Sequence, residues 1–142
     1  MRNKVQQKCC TNIFIMIERT ILGQVPSKSN GYRIISIRGH GSLAKTKELK
    51  QYEKDFSLQY KRHNKILGNF GVEVDVYFRS NRSDLDGMFK VFLDCLQQVE
   101  AIDNDRYCMS ISARKFVDKE NPRLEFKIIE YATESKNEEG AA

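Results

Sequence analysis

The hydrophobic period changes twice in the middle of the chain, and that change narrows the fold more than any other feature. Leu49, Tyr52, Phe56, Tyr60, His63 and Leu67 recur at steps of three or four, as on a helix with one buried stripe. At Phe70 the period drops to two. Val72, Val74, Val76 and Phe78 point one way, and Glu73, Asp75 and Tyr77 the other. The helical period then returns in Phe89, Phe92, Leu93 and Leu96. A strand flanked by two amphipathic helices implies helices packed on a sheet, because each element has one face to bury.

The remaining elements follow from the same reasoning. Ile13 to Val25 is rich in β-branched residues and reads as a first strand; the turn-forming run Pro26-Ser27-Lys28-Ser29-Asn30-Gly31 ends it. Tyr32 to Arg38 alternates and reads as a second strand, followed by a Gly39-His40-Gly41-Ser42 loop. The first helix is expected over Ala44 to Leu67, a strand over Phe70 to Ser80, and a second helix over Asp84 to about Glu100 that Asp84 or Asp86 can cap. Tyr107 to Val117 and Arg123 to Tyr131 read as two closing strands with Pro122 at the turn between them. The order β-β-α-β-α-β-β implies a single α/β (α+β) domain over residues 13–131, a mixed sheet carrying two main helices. Residues 1–12 read as a flexible lead-in and residues 132–142 as a disordered acidic tail.

Composition excludes several classes. With 142 residues, 40% hydrophobic and 30% charged, the chain suits one ordinary globular domain. Ile13 to Ile17, the longest apolar run, is too short to cross a bilayer, and no small-residue cleavage site follows it, so a cytoplasmic protein without a membrane partner is expected. The four cysteines show no zinc-like spacing and read as free thiols. The net charge of +5 is unevenly spread: residues 27–65 hold ten Lys or Arg against three acids, whereas residues 84–105 hold six acids against Lys90 alone. A basic surface beside an acidic pocket suits a protein that attracts a polyanion and holds a divalent cation against it. Lys28, Arg33, Lys45, Lys47, Lys50, Lys61, Arg62 and Lys115 are the candidates for contacts to a nucleic-acid backbone.

The chemistry concentrates where the third strand gives way to the second helix. Asp84-Leu85-Asp86 puts two carboxylates two residues apart, on one side of an extended segment. Asp86, Lys90 and Asp94 align along a helix face at steps of four, and Asp103-Asn104-Asp105 repeats the two-apart spacing past the helix's far end. A helix of about 15 residues would hold its ends over ~20 Å apart. Asp105 therefore rejoins Asp84 and Asp86 only if the helix ends early or the following strand returns beside the third one. If the three meet, their repulsion calls for a hard cation such as Mg²⁺, which could activate a water against a phosphate. The bland alternatives are a helix cap and solvated acid at Asp84 and Asp86, a surface pair at Lys90 and Asp94, and a polar turn at Asp103 and Asp105.

Asp84-Leu85-Asp86-x-x-x-Lys90, then Asp94-Cys95-Leu96, then Asp105 resembles the RusA family of Holliday junction resolvases. Gly23-x-x-Pro26-Ser27-Lys28-Ser29-Asn30, Arg114 or Lys115, and Pro122-Arg123-Leu124-Glu125 also fit, so the resemblance covers residues 17–130. It implies a homodimeric nuclease that uses Mg²⁺, or Mn²⁺ in its place, to cut four-way DNA junctions symmetrically in recombination and repair, and it makes a prophage origin plausible. Carried over, Asp84, Asp86 and Asp105 become the metal-binding catalytic aspartates and Lys90 the catalytic lysine, with Asp94 and Asp103 supporting them. Gly87 stands where the family has asparagine, and Asn104-Asp105 where it has an Asp-Asp pair. A non-catalytic junction-binding module and a nuclease for flap or other branched DNA are the alternatives.

Overall fold

A computed structural model describes residues 13–27 and 31–131. The turn residues 28–30, the lead-in at 1–12 and the tail at 132–142 lie outside the described residues, and with them Lys28. Strand β1 (Ile13–Leu22) is followed by β2 (Tyr32–Ile37), β3 (His40–Lys45), helix α1 (Lys47–Gln59), β4 (Phe70–Phe78), helix α2 (Phe89–Gln98), β5 (Cys108–Val117) and β6 (Arg123–Tyr131). The order is thus β-β-β-α-β-α-β-β. The main sheet runs β1-β6-β4-β5; β6 is antiparallel to both β1 and β4, while β4 and β5 are parallel, so the sheet is mixed as expected.

The helices cover one face of this sheet. Phe56 stacks on Phe126 of β6, and Phe92 of α2 meets the same ring edge-on at 4.9 Å. Val72, Val74, Val76 and Phe78 of β4 are buried with them, along with Leu124 and Ile128 of β6. The opposite face stays polar: Glu18, Thr20, Glu73, Asp75, Ser112, Arg114, Glu125 and Lys127 line a shallow concavity of about 660 Å³ there.

Three sequence expectations need correction. His40, Gly41 and Ser42 belong to β3 rather than a loop, and Ala44 and Lys45 to β3 rather than the first helix, because the reversal occurs one position earlier, at Arg38 and Gly39. Both have positive φ (53° and 81°), the backbone of a two-residue hairpin turn. Helix α1 ends at Gln59, eight residues short of Leu67, although the apolar spacing continues. Backbone pairing overrides propensity here: Ile66 donates to the Ala101 carbonyl and accepts from the Asp103 N–H, which draws the chain out straight and leaves Leu67 exposed. At the other end of α1, Thr46 accepts the Leu49 N–H at 3.2 Å as an N-cap. Finally, α2 starts at Phe89 after a 3₁₀ turn at Asp86–Met88, and neither start carries a side-chain cap, so Asp84 and Asp86 do not cap it.

Candidate active site

The loop that carries Asp84 and Asp86 begins where β4 ends. Two side chains from remote parts of the sequence hold it. Gln24 Oε1 accepts the Arg79 N–H at 2.8 Å, and Lys115 Nζ donates to the carbonyls of Asn81, at 3.0 Å, and of Ser83. Lys115 lies beside Val76 on β5, so parallel pairing delivers its ammonium to the end of β4. Its cation thus has carbonyl partners already, a role the sequence reading gave to DNA instead. Leu85 has helical backbone angles (φ −64°, ψ −43°), so the segment is not extended and the same-side argument for the two carboxylates does not apply. Asp84 and Asp86 are nonetheless both exposed within one turn.

One helical turn further, Lys90 donates to Asp94 Oδ2 at 3.2 Å as an i,i+4 pair. The Tyr32 hydroxyl, from the base of the β2–β3 hairpin, donates to the same oxygen at 3.3 Å, and the Lys90 ammonium sits 5.9 Å from its ring centre. Burial, then the negative charge of Asp94, pushes the Tyr32 phenol up to about 12, so it stays a donor at every ordinary pH. Tyr32 escaped the sequence reading because a tyrosine at a strand start carries no local signal of a partner 62 residues away.

Asp105 lies at the other end of α2. The Asp105 N–H donates to Gln97 Oε1 in the last turn of the helix, and Asp103 is tied to Ile66. Asn104 accepts the Arg106 N–H at 2.9 Å and caps the short 3₁₀ turn Asp105–Tyr107, a local role that an asparagine fills as well as an aspartate. Strand β5 does return beside β4, as the sequence required, but in parallel, with Cys108 opposite Phe70 and Val117 opposite Phe78. Asp105 therefore stands at the start of β4 and Asp84 beyond its end. The ten residues of α2 alone keep them ~15 Å or more apart. Among the described residues no three His, Cys, Asp or Glu side chains gather closely enough to hold a metal ion. The structure places Asp84 and Asp86 in one turn with Lys90 one helical turn further on, and leaves Asp103 and Asp105 at the other end of α2.

The candidate DNA contacts divide in two. Arg33, Lys47, Lys50, Lys61 and Arg62 are exposed, whereas Lys45 is engaged by Glu53 at 2.9 Å. Cys95 is buried, which pushes its thiol up to about 12, and Cys108 is a second free thiol; both are poor metal ligands as they stand. No helix among the described residues is long and apolar enough to cross a membrane.

Comparison with the curated proteins finds no match. The family model described as endodeoxyribonuclease RusA, however, matches residues 25–129, from the segment before the hairpin through the last strand, and so takes in both aspartate turns and the lysine between them. With the match extending over most of the chain, this protein belongs to the RusA family of Holliday junction resolvases and is an endodeoxyribonuclease.

Proposed function

We propose that the protein resolves four-way DNA junctions in recombination and repair as a Mg²⁺-dependent homodimer, with each active site drawing Asp84 and Asp86 from one copy and Asp105 from the other. The observation that carries this reading is the placement of the two aspartate turns at opposite ends of α2, each exposed. One copy therefore holds two half-sites rather than a whole one. A two-fold pair turns one copy end for end against the other and can unite them twice, and a two-fold junction is cut twice.

The donor set fits the ion. Mg²⁺ takes hard oxygen ligands and is commonly held by one or two carboxylates plus waters and a substrate phosphate, which the exposed Asp84 and Asp86 can supply; Mn²⁺ has the same preference. Bound there, the ion would make a water nucleophilic near neutral pH and offset charge on the phosphate being cut. The chain's own residues do the rest. Lys90 leaves Asp94 easily, because an exposed i,i+4 pair is worth only ~0.3–0.5 kcal/mol. Its ammonium can then donate to a non-bridging phosphate oxygen as negative charge builds. Asp94, fixed by Tyr32, gives the lysine a defined resting position. Lys115 and Gln24 fix the loop that orients the first two carboxylates. Arg33, Lys47, Lys50, Lys61 and Arg62 offer exposed cations to the DNA backbone, a contribution blind to sequence and weakened by salt. Such a protein works on DNA in the cytoplasm.

The test is cleavage of a synthetic four-way junction with Mg²⁺, beside flap and splayed substrates. Asp84→Asn and Asp105→Asn should each be inactive alone. Mixed and allowed to exchange subunits, they should recover nicking, because one of the two sites in a heterodimer then carries only native aspartates. Wild-type rates in either single variant would defeat the assignment, and a mixture as dead as its parts would mean that the carboxylates do not act across two copies.

A further inference from the structure

A hairpin stands beside Lys90. Among the described residues, β2 and β3 pair with each other and with no strand of the main sheet. Their base is fastened: the Thr46 N–H donates to the Gly31 carbonyl at 2.9 Å, Lys45 reaches Glu53 at 2.9 Å, and the Tyr32 hydroxyl reaches Asp94 at 3.3 Å. Above that base the hairpin projects into solvent on both sides, with Ile35 the one residue from Arg33 to Leu43 that is not exposed. A two-stranded ribbon with no cover is marginal in water, so what it carries on its open faces calls for an explanation.

Residues directly opposite in an antiparallel ladder share a face. Tyr32 with Lys45, and Ile34 with Leu43, therefore lie on one side of the ribbon. Ile34 is 79% exposed and Leu43 60%, two large aliphatic side chains in register. They stand two residues beyond Tyr32, about 7 Å further along the strand, on the face that meets Asp94 and Lys90. The same stretch, residues 32–45, holds Arg33, Arg38 and Lys45 and not one acid. An apolar pair ringed by cations suits a polyanion that offers an apolar surface. DNA offers one where its bases have lost a stacking partner.

We propose that the Ile34–Leu43 face of the β2–β3 hairpin enters the branch point of a DNA junction and covers the base face left bare beside the cut, while Arg33 and Arg38 hold the flanking phosphates. Aliphatic side chains can wedge between base steps, but in an unbroken duplex each step must first be unstacked at a cost of a few kcal/mol. At a branch point the continuous stack is already interrupted, so the wedge favours branched DNA over duplex. Phosphate contacts draw in both kinds of DNA alike and cannot make that distinction. Tyr32 then links the two tasks, because the strand that carries the wedge also carries the hydroxyl that fixes Asp94 beside Lys90. The inference rests on the junction-cleaving reading above and adds how branched DNA is told from duplex.

The test places an aminopurine reporter, quenched by neighbouring bases but not by aliphatic side chains, at the branch point of a synthetic four-way junction and in a matching duplex. Each is bound by full-length Asp84→Asn protein without divalent ion, which leaves the DNA whole. The signal should rise by at least about twofold on the junction and stay flat on the duplex. Ile34→Ser combined with Leu43→Ser should abolish the rise and weaken junction binding by at least about tenfold, while duplex binding changes by less than about twofold. Should the double variant fail to fold, the reporter on the parent protein decides alone. No rise with the parent, a rise that survives in the double variant, or equal losses on junction and duplex overturns the proposal. A double variant that sediments as a smaller species than its parent puts a second copy on this face and overturns it too. Junction cleavage kept at the wild-type rate by Ile34→Ser with Leu43→Ser overturns it while leaving the nuclease reading intact. A wild-type protein that cleaves no junction removes that reading as well.

Discussion

The two ends of α2 carry the same chemistry on different supports. At its start, the Asp84–Asp86 loop is held by side chains, Lys115 from β5 and Gln24 from the segment after β1. At its end, the Asp103–Asp105 turn has two backbone bonds, from the Asp103 N–H to Ile66 and from the Tyr107 N–H to Asn104, beside the side chains of Asn104, which accepts the Arg106 N–H, and of Gln97 from the helix. Backbone pairing tolerates most substitutions, whereas a single long side chain is lost with one mutation. The loop at the start of α2 is accordingly the more easily disturbed of the two supports.

Neutralising a carboxylate at either end should give the largest effect. Asp84→Asn and Asp105→Asn should each lower junction cleavage by well over ~100-fold, since even residues that merely position metal ligands are worth ~10–100-fold. Equal losses, measured in single-turnover assays, would establish that both ends serve one reaction. Next in size, Lys115→Met should cost ~10–100-fold in cleavage and raise the Mg²⁺ concentration needed for half-maximal rate, with junction binding little changed. A loss confined to binding would instead restore Lys115 to the DNA surface and erase the contrast between the two supports. Gln97→Ala, its counterpart at the other end, should cost only a few-fold in rate and ~1 kcal/mol in stability by urea unfolding, the worth of one hydrogen bond.

The smallest effect concerns pH. Asp118, just beyond β5, is held below the usual carboxylate range, first by the hydrogen bond from the Arg123 guanidinium and then by the Asn121 N–H. A lowered folded-state value stabilises the fold above the ordinary carboxylate range, and that stability disappears as pH falls through the lowered value. The thermal midpoint of wild type should therefore fall in acid slightly more steeply than that of Asp118→Asn. Parallel acid limbs would mean that this corner contributes nothing to the pH response.

Much of the fold was legible because its signals are local. The alternation of β4 and the stripe of α2 place those elements within a few residues of their limits, and β6 was read to the residue. The missed elements have non-local causes. His40 and Gly41 look like loop until the Arg38-Gly39 turn is seen, and the stripe from Tyr60 to Leu67 looks helical until Ile66 pairs with Ile102. At the site, the spacing of Asp84, Asp86, Lys90 and Asp105 was enough to point to the family. It did not contain the partners of Lys115, Tyr32 or Gln24, each more than 30 positions away along the chain.

The sequence by itself determined that helices cover a sheet, that acidic chemistry surrounds α2, and which residues resemble a resolvase, because periodicity and motif spacing act over a few residues. Only the tertiary structure decided that β5 runs parallel to β4. A parallel return forces a helix between the strands to span the whole sheet, and so it separates Asp105 from Asp84 and Asp86 within a single copy.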